Sequence, residues 1–289
     1  MMRAHAKIQA PDEETQLKTT LKPAVPGVEA REVLNFKQAA CTLQQDYVIQ
    51  EAPVALVYNG ISHVVMMATA TDLVEFGQGF SLSEGIIPDL KALYAIEVQQ
   101  TGLGTVVEMT IATSAFVKLK QQRRNLTGQS GCGLCGIDSL AHFHQTLPSV
   151  TTPFKPAWLQ EITAVFKQLE NHQTIGRITG AAHAAAWVEH GKIKAIFEDV
   201  GRHNALDKLL GFIAAEKIQV SQGFVFMTSR ASYELIRKCA QFNIAMLATI
   251  SAPSSLAIDL AQRAGLTLAS FCRENRFAVY SQNHRVRSE

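Results

Sequence analysis

The sequence predicts an α/β protein in two parts: a larger domain with a mostly parallel sheet and flanking helices, and a smaller N-terminal α+β domain with antiparallel hairpins. Strand-like and helix-like segments alternate through the second half of the chain, which is typical of a parallel sheet covered by helices. The first half instead carries paired apolar runs joined by short turns. The 289 residues, 47% hydrophobic and 18% charged, supply core material for one large domain or two ordinary ones.

Composition along the chain divides it into four regions. We expect a flexible tail at residues 1–30, the small α+β domain at 31–125, a glycine-rich Cys-x-x-Cys loop at 126–138 and the larger domain at 139–289. The tail is polar and contains three prolines, a composition that disfavours regular structure.

Two hairpins and a helix are expected in the small domain. Asn59-Gly60 separates two apolar runs and suits the positive φ angles of a tight hairpin turn. A second hairpin is expected over residues 95–111, and residues 72–85 favour a helix that ends near Gly85. The basic segment from Phe116 onward is interpreted as a connection between the domains.

In the larger domain, the apolar spacing over residues 156–172 predicts a helix. Strands are expected on either side of His190-Gly191. The segments that follow alternate helix and strand: N-A-L-D-K-L-L-G-F-I-A-A, F-V-F-M-T, S-Y-E-L-I-R-K-C-A, A-M-L-A-T-I, S-L-A-I-D-L-A-Q-R-A and T-L-A-S-F-C.

Charge and cysteine usage narrow the functional classes. The net charge of +2 is too small to predict binding to nucleic acid or to an anionic membrane. The N-terminus has no apolar signal region, and no apolar run approaches the roughly 20 residues that span a bilayer, so we expect a cytoplasmic protein. Five cysteines in a reducing compartment do not form a disulfide framework, which leaves reactivity or metal binding for the close pair Cys132 and Cys135.

The loops after the predicted parallel strands favour an anionic ligand. Such loops meet at one sheet edge, where α/β proteins bind ligands, and helix N-termini there attract anions. The hydroxyl, guanidinium and polar groups concerned are Ser229, Arg230, the segment 251–255, Arg273, Glu274, Asn275 and Arg276. A phosphorylated or nucleotide-bearing ligand fits this set, although serine and threonine are also the ordinary caps of helices.

A second polar cluster, G-R-H-N-A-L-D-K at residues 201–208, opens a predicted helix. His203 near the helix start is expected to favour its neutral form. The competing interpretation is a capping cluster with Asn204 as the cap. His183, alone in a run of small residues, is more typical of a core histidine than of a catalyst.

Four chemistries compete for the cysteine pair. A structural zinc site needs four ligands, but only one Cys-x-x-Cys is present, and His142 and His144 alternate on a predicted helix. A zinc deaminase needs His-x-Glu and Pro-Cys-x-x-Cys, whereas no His-x-Glu occurs and Gly131 precedes Cys132. Neither zinc site is predicted.

Dithiol exchange and sulfur carriage both remain open on the residues alone. Dithiol exchange usually places Cys-x-x-Cys at a helix start after a strand, whereas here a basic segment precedes the pair and glycines flank it. A sulfur carrier needs a nucleophilic thiolate that two partners can reach, and glycines permit such movement. Four nearby cations could lower the thiol pKa: Lys118, Lys120, Arg123 and Arg124.

Six motifs in order resemble those of the formate dehydrogenase accessory sulfurtransferases, the FdhD family, from about residue 40 to residue 281. They are G-F-S-L-S-E-G-I-I, S-G-C-G-L-C-G, T-G-A-A-H-A-A-A-W, E-D-V-G-R-H-N-A-L-D-K, S-R-A-S-Y-E-L and S-A-P-S-S-L-A. The chain departs from the family at Ala181 and Ala182, where a glycine is frequent, and at Cys272 and Glu274, where smaller residues are common.

The resemblance implies a sulfur carrier that takes sulfane sulfur from a cysteine desulfurase to the molybdenum cofactor of the formate dehydrogenase catalytic subunit. It implies that Cys132 bears the persulfide beside Cys135, that no zinc is bound, and that the larger domain is cytidine-deaminase-like. A homodimer is also implied. The implied ligand is molybdopterin guanine dinucleotide, whose contact segment matches Phe271, Cys272, Arg273, Glu274, Asn275 and Arg276. The alternatives are a cofactor-delivery chaperone without sulfur transfer and a dithiol redox protein.

Overall fold

The computed structural model describes residues 25–37, 40–127, 147–274 and 276–286, without the side chains of 122–127. Cys132, Cys135 and Asn275 therefore lie outside the described residues. No helix among the described residues has the length and apolar character needed to cross a membrane.

The N-terminal part contains a two-stranded ribbon, a four-stranded sheet and two helices. Its elements are β1 (Val28–Lys37), β2 (Ala40–Ile49), β3 (Ala52–Tyr58), β4 (Ile61–Ala68), α1 (Leu73–Ser83), β5 (Leu93–Thr101), β6 (Gly104–Ile111) and α2 (Thr113–Thr127). Both predicted hairpins are confirmed, and Asn59 and Gly60 have φ angles of 47° and 77°. The sheet order β4-β3-β6-β5 nevertheless places β3 and β6 in parallel.

Two expectations for this part differ from the structure. Strand β1 begins at Val28, inside the segment expected to be a tail. The basic segment that was expected to connect the domains forms α2. Helix α2 is fixed because Ala115 and Leu119, four residues apart on one face, are both buried, while Lys118 and Lys120 are exposed.

The C-terminal part is a six-stranded sheet with helices on both faces. Its elements are α3 (Ala157–His172), α4 (Thr174–Thr179), β7 (His183–Glu189), β8 (Lys192–Asp199), α5 (Arg202–Ala215), β9 (Gly223–Met227), α6 (Tyr233–Gln241), β10 (Met246–Thr249), α7 (Ser255–Ala264), β11 (Thr267–Arg273) and β12 (Arg276–Val279). The strand order is β12-β11-β10-β9-β7-β8.

The sheet is mixed, so the prediction of a mostly parallel sheet was wrong. The β9–β10 and β10–β11 pairs are parallel, whereas the β7–β8, β7–β9 and β11–β12 pairs are antiparallel. The helix–strand alternation that predicts parallel pairing begins only after β8, and the tight turn at His190-Gly191 makes β7 and β8 antiparallel.

Alternating side chains of this sheet divide the core into two layers. Trp187, Val225 and Met227 face α5, α6 and α7. Ala186 and Phe226, each one residue away, face α3. Period-two alternation of this kind is what a sheet buried on both faces requires, and it places α3 on one side and α5, α6 and α7 on the opposite side.

Helices α1 and α5 join the two parts of the molecule. Gly79 of α1 and Gly211 of α5 lie at their crossing, and a Cβ on either would overlap a backbone carbonyl of the other helix. A buried ion cluster continues the contact: Lys238 Nζ lies 2.9 Å from Asp207 Oδ1 and 2.6 Å from Glu84 Oε1. The domains are therefore packed backbone to backbone and crosslinked by charge.

Candidate functional site

Five strands of the mixed sheet bring polar loops to one edge. Strands β8, β9, β10 and β11 end at this edge and β7 begins there, because β7 pairs antiparallel with both β8 and β9. The strand-end loops predicted to bind an anion thus lie side by side, as expected for parallel neighbours.

Backbone hydrogen bonds hold the two central loops together. Ala231 and Pro253 form an isolated parallel bridge. Ala231 N donates to Ala252 O at 3.2 Å, and Ser254 N donates to Ala231 O at 3.0 Å. The loops after β9 and β10 therefore act as one fixed wall rather than as two independent connections.

A cavity of about 300 Å³ opens against this wall and is here called the arginine cavity. Its lining is Arg202, Arg230, Ala231, Ser232, Ala252, Pro253 and Ser254. Three helices begin at it: Arg202 is the first residue of α5, and Ser232 and Ser254 are the N-caps of α6 and α7. Helix N-termini carry partial positive charge, so three of them reinforce the two guanidinium groups.

The cavity has unused hydrogen-bond donors. Arg202 Nε is buried and has no hydrogen-bond partner among the described residues. No side chain caps α5 or α6, whereas Ser254 Oγ accepts from Ala257 N at 3.2 Å. Because a buried donor without a partner is costly, the arrangement suits a ligand that accepts hydrogen bonds and carries negative charge.

His183 lies near the two arginines of the cavity, and His203 pairs with an acid. Burial lowers the pKa of His183, and the nearby charges of Arg202, His203 and Arg230 lower it further against the opposing effect of Asp199. His203 Nε2 lies 2.6 Å from Glu234 Oε2. The hydrogen bond with His203 lowers the pKa of Glu234, so this carboxylate stays ionised and ties α5 to α6 at the cavity rim.

Several polar residues of the motif E-D-V-G-R-H-N-A-L-D-K bind one another instead of lining the cavity. Buried Asp199 lies 2.8 Å from Lys208 Nζ and accepts hydrogen bonds from Gly201 N at 2.8 Å and Asn204 Nδ2 at 3.0 Å. The N-cap of α5 is Gly201, not Asn204. These groups satisfy one another and leave Arg202 as the residue of the motif that lines the cavity.

The predicted ligand residues are not brought to a single cavity. Arg230 lines the arginine cavity, whereas buried Ser229 donates its hydroxyl to Arg230 O at 3.1 Å. Arg273 and Arg276 are exposed, and their backbones are register partners in the antiparallel β11–β12 pair. Phe271, half-buried with a φ angle of 55°, packs its ring 6.4 Å from that of Tyr280.

Cys272 faces the core. It is fully buried, and burial raises the pKa of its thiol to about 12 despite a hydrogen bond with the Thr249 backbone. Its side chain is unavailable to a ligand in this structure, so only its main chain can retain the predicted role. The predicted persulfide residues Cys132 and Cys135 lie outside the described residues, and their role stays a prediction.

Glu274 lines a second cavity of about 430 Å³, here called the α3–α4 cavity, on the α3 side of the sheet edge. Its lining is Phe166, Lys167, Leu169, Glu170, Gln173, Gly176, Arg177, Gly180, Ala182, Ile250 and Glu274. Glu198 holds the first turn of α4 at this cavity, because its carboxylate accepts hydrogen bonds from Ile175 N at 2.8 Å and Gly176 N at 2.7 Å.

Arg202 and Ser232 are cavity residues that the sequence analysis did not assign to a ligand, whereas Ser254 lies in the segment 251–255 that it did assign. Their positions at the starts of three helices were visible in the predicted helix–strand alternation, but their convergence required the sheet order. Among the described residues, no group of three or more histidine, cysteine or acidic side chains could hold a metal ion.

Comparison with known proteins agrees with this architecture. A protein of Desulfotalea psychrophila described as a formate dehydrogenase accessory protein has the same fold, with a TM-score of 0.69 over 91% of this chain and all of its own, at 23% identity. The sulfur carrier protein FdhD of Acinetobacter baylyi is 59% identical over 82% of this chain and 86% of its own. The sulfur carrier protein FdhD of Chromobacterium violaceum is 51% identical over 82% of this chain and 88% of its own. The chain matches the FdhD/NarQ family over residues 49–287 and belongs to it.

Proposed function

We propose that this protein is a sulfurtransferase that carries sulfane sulfur from a cysteine desulfurase to the molybdenum cofactor of a formate dehydrogenase. The observation that carries the proposal is the arginine cavity, because three separated sequence motifs supply its lining. Relatives up to 59% identical, which are named sulfur carriers, support the same function.

The arginine cavity fits the phosphate groups of molybdopterin guanine dinucleotide. Two guanidinium groups, one with a buried unpaired Nε, and three helix N-termini offer donors without a neighbouring carboxylate in the lining. Arginine binds phosphate through paired N–H donors. In this role Arg202 and Arg230 orient the cofactor, which is the substrate that receives sulfur.

Sulfur loading is assigned to Cys132. Its thiolate attacks the terminal sulfur of the donor's persulfide; the donor's sulfur–sulfur bond breaks, and the donor thiolate leaves. The extra sulfur is then held as a persulfide on Cys132, with no net oxidation. Cys135 is the neighbouring thiol of the motif. Such exchange requires thiolate chemistry in a reducing compartment, which supports a cytoplasmic site of action.

We also propose that the larger part is a cytidine-deaminase-like fold without its zinc ligands. The helices on both faces of a mixed sheet support this proposal, as does the lack of any His-x-Glu in the sequence.

Persulfide formation tests the function. The full chain is incubated with a cysteine desulfurase and cysteine, and the peptide containing residues 130–136 is weighed by mass spectrometry. We expect one added sulfur atom on wild type and Cys135→Ala, and none on Cys132→Ala. If wild type gains no sulfur yet still restores formate dehydrogenase activity in a strain lacking it, the protein is a cofactor-delivery chaperone instead.

A further inference from the structure

The β1–β2 ribbon stands apart from both larger sheets and is here called the arm. Its two strands of ten residues pair only with each other among the described residues. A two-stranded ribbon on its own is marginally stable in water, and its unpaired edges are available to other chains. The arm therefore has the properties of an element that is stabilised by contact with another surface.

One face of the arm is apolar and exposed. Residues directly opposite each other in an antiparallel pair share a face, and the register pairs Leu34 with Leu43 and Phe36 with Cys41. Leu34 is 61% exposed and Phe36 is 72% exposed. The opposite face at the same end of the arm carries Asn35, Lys37, Ala40 and Thr42. An apolar patch with a polar border is typical of a protein-interaction surface.

The four-stranded sheet has a second uncovered apolar face. Helix α1 packs on one face of this sheet, where Leu56 and Val107 share a core with Phe76. Alternate residues of β3, β4 and β6 occupy neighbouring register positions on the other face, here called the outer face. Its apolar residues are Pro53, Ala55, Val57, Val65, Met67 and Val106. None of them belongs to a hydrophobic core of the described chain, and Met67 is 50% exposed.

Charge at the border of the outer face complements the tip of the arm. Glu97 of β5 and Glu108 of β6 are register partners on the outer face, and neither forms an ion pair with another described residue. Like charges directly opposite each other destabilise a sheet, so a cation at this border is favourable. Lys37 is exposed at the end of β1, next to the apolar residues of the arm.

The size of the arm favours two reciprocal contacts over one. Residues 30–37 and 40–47 span about 26 Å, and two paired strands cover a width of about 10 Å, which gives each arm face about 260 Å². Two such contacts, counted on both surfaces, bury about 1,000 Å², the size at which a specific interface begins. A single arm on a single partner buries about half of that area. Because the arm and the outer face belong to one chain, a two-fold axis makes both contacts at once.

We propose that two copies of this chain exchange arms, so that the apolar arm face of each copy lies on the outer face of the other. In this dimer Lys37 of each copy lies beside Glu97 and Glu108 of the other. The exchange covers both apolar faces and goes beyond the proposed function, because it does not depend on sulfur carriage.

Sedimentation equilibrium of the full-length protein in a reducing buffer tests the exchange, over concentrations up to about 100 μM. We expect wild type to reach twice the 31.6 kDa of one chain. An arm variant, Leu34→Asp/Phe36→Asp, and a face variant, Val65→Asp/Met67→Asp, should each weaken dimerisation by about 100-fold or more, because a charge enters both apolar contacts. A wild type that stays a single chain over the whole range leaves the arm to a different protein and overturns the proposal.

Mixing the two variants identifies which surfaces meet. A heterodimer of the arm variant and the face variant keeps one of its two contacts, so it should form more tightly than the homodimer of either variant. A mixture that associates no better than its separate components rules out the arm–face contact. The control Val74→Asp/Val117→Asp changes exposed apolar residues on α1 and α2 and should dimerise as wild type does. Melting curves show that each variant is folded.

Cys41 gives an independent measure, because it lies on the apolar arm face. In dilute solution, where single chains predominate, iodoacetamide should modify it quickly, as measured by mass spectrometry of its own peptide. As the protein concentration rises, the rate should fall severalfold in wild type and stay constant in the face variant, whose arm is intact but has no surface to cover it. A wild-type rate that does not change with concentration contradicts arm exchange.

Discussion

The crossing of α1 and α5 is the contact for which the loss of stability on substitution follows most directly from the structure. A Cβ added at Gly79 would overlap the carbonyl of Asp207 and approach the backbone N of Gly211, and one at Gly211 would overlap the carbonyl of Glu75. These are backbone atoms of a second helix, so no rotamer change can relieve the overlap. The helices must separate, and the apolar contacts around the crossing are weakened.

For Gly79→Ala, two effects of opposite sign combine. Alanine in a helix interior stabilises by about 1 kcal/mol relative to glycine, and overpacking costs about 1–3 kcal/mol, occasionally more. Since the obstacle is backbone, we take the upper end or beyond and expect a net destabilisation of about 2–3 kcal/mol. For a chain of this length the melting temperature should fall by about 4–6 °C.

Two glycines provide matched controls in thermal unfolding followed by circular dichroism. At Gly77, also in α1, a Cβ would meet only side-chain ends, the nearest being Ile96 Cδ1 at 2.8 Å, so Gly77→Ala should be milder. At Gly102 nothing lies within 4 Å, and Gly102→Ala should be near neutral. If Gly79→Ala melts with or above wild type, the close backbone contact does not exist in the native protein.

Two other predictions concern ionisable groups. Burial alone would raise the pKa of Glu84, but the charges of Lys238 and Arg237 lower this pKa to about 2. The ionised Glu84 therefore contributes its full stabilisation above the ordinary pKa of 4.5, and this contribution is lost as the pH falls towards 2. In urea unfolding at pH 7, the free energy of unfolding of Glu84→Gln should be lower than that of wild type by at most about 3 kcal/mol. The difference between the two proteins should be smaller at pH 3, and a difference that does not change with pH contradicts this prediction. In a Cys132→Ser/Cys135→Ser variant, iodoacetamide at pH 8 should modify exposed Cys41 quickly and spare Cys239 and Cys272, since burial raises the pKa of both to about 12; rapid loss of all three thiols in mass spectra would contradict that burial.

Local patterns predicted the elements better than their pairing. The helices α3, α5, α6 and α7 follow from apolar spacing, and the turns at Asn59-Gly60 and His190-Gly191 from residues that tolerate positive φ. Strand direction was not predictable in the same way, because period-two alternation is identical in parallel and antiparallel strands. The parallel pairing of β3 with β6 and the antiparallel pairing of β7 with β9 are decided by long-range packing.

The candidate site was predictable at the level of the sheet edge but not of individual side chains. Arg202, Asp199 and Lys208 stand in one polar motif, yet Asp199 and Lys208 pair in the core and Arg202 lines the cavity. Sequence spacing cannot tell which of these side chains is buried and which lines the cavity, because burial depends on the packing of α1 over α5. Cys272 shows the same limit: β11 alternation turns its thiol into the α3 layer while the exposed Arg273 points outward.

Helix α6 links the arginine cavity to the small domain. Ser232 at its start lines the arginine cavity, and Lys238 near its end joins the ion cluster with Glu84 of the small domain. Both ends of one rigid element of nine residues are therefore fixed by different parts of the molecule, so the cavity cannot shift without disturbing the domain contact.

If Cys132 carries the sulfur as proposed, the covalent chain also limits where the exchange takes place. Helix α2 belongs to the same small domain and ends at Thr127, five residues before Cys132. At no more than about 3.6 Å per residue, the Cys132 backbone stays within about 18 Å of that helix end. A donor and an acceptor that both react with Cys132 must therefore bring their sulfur-exchanging atoms close to one end of α2.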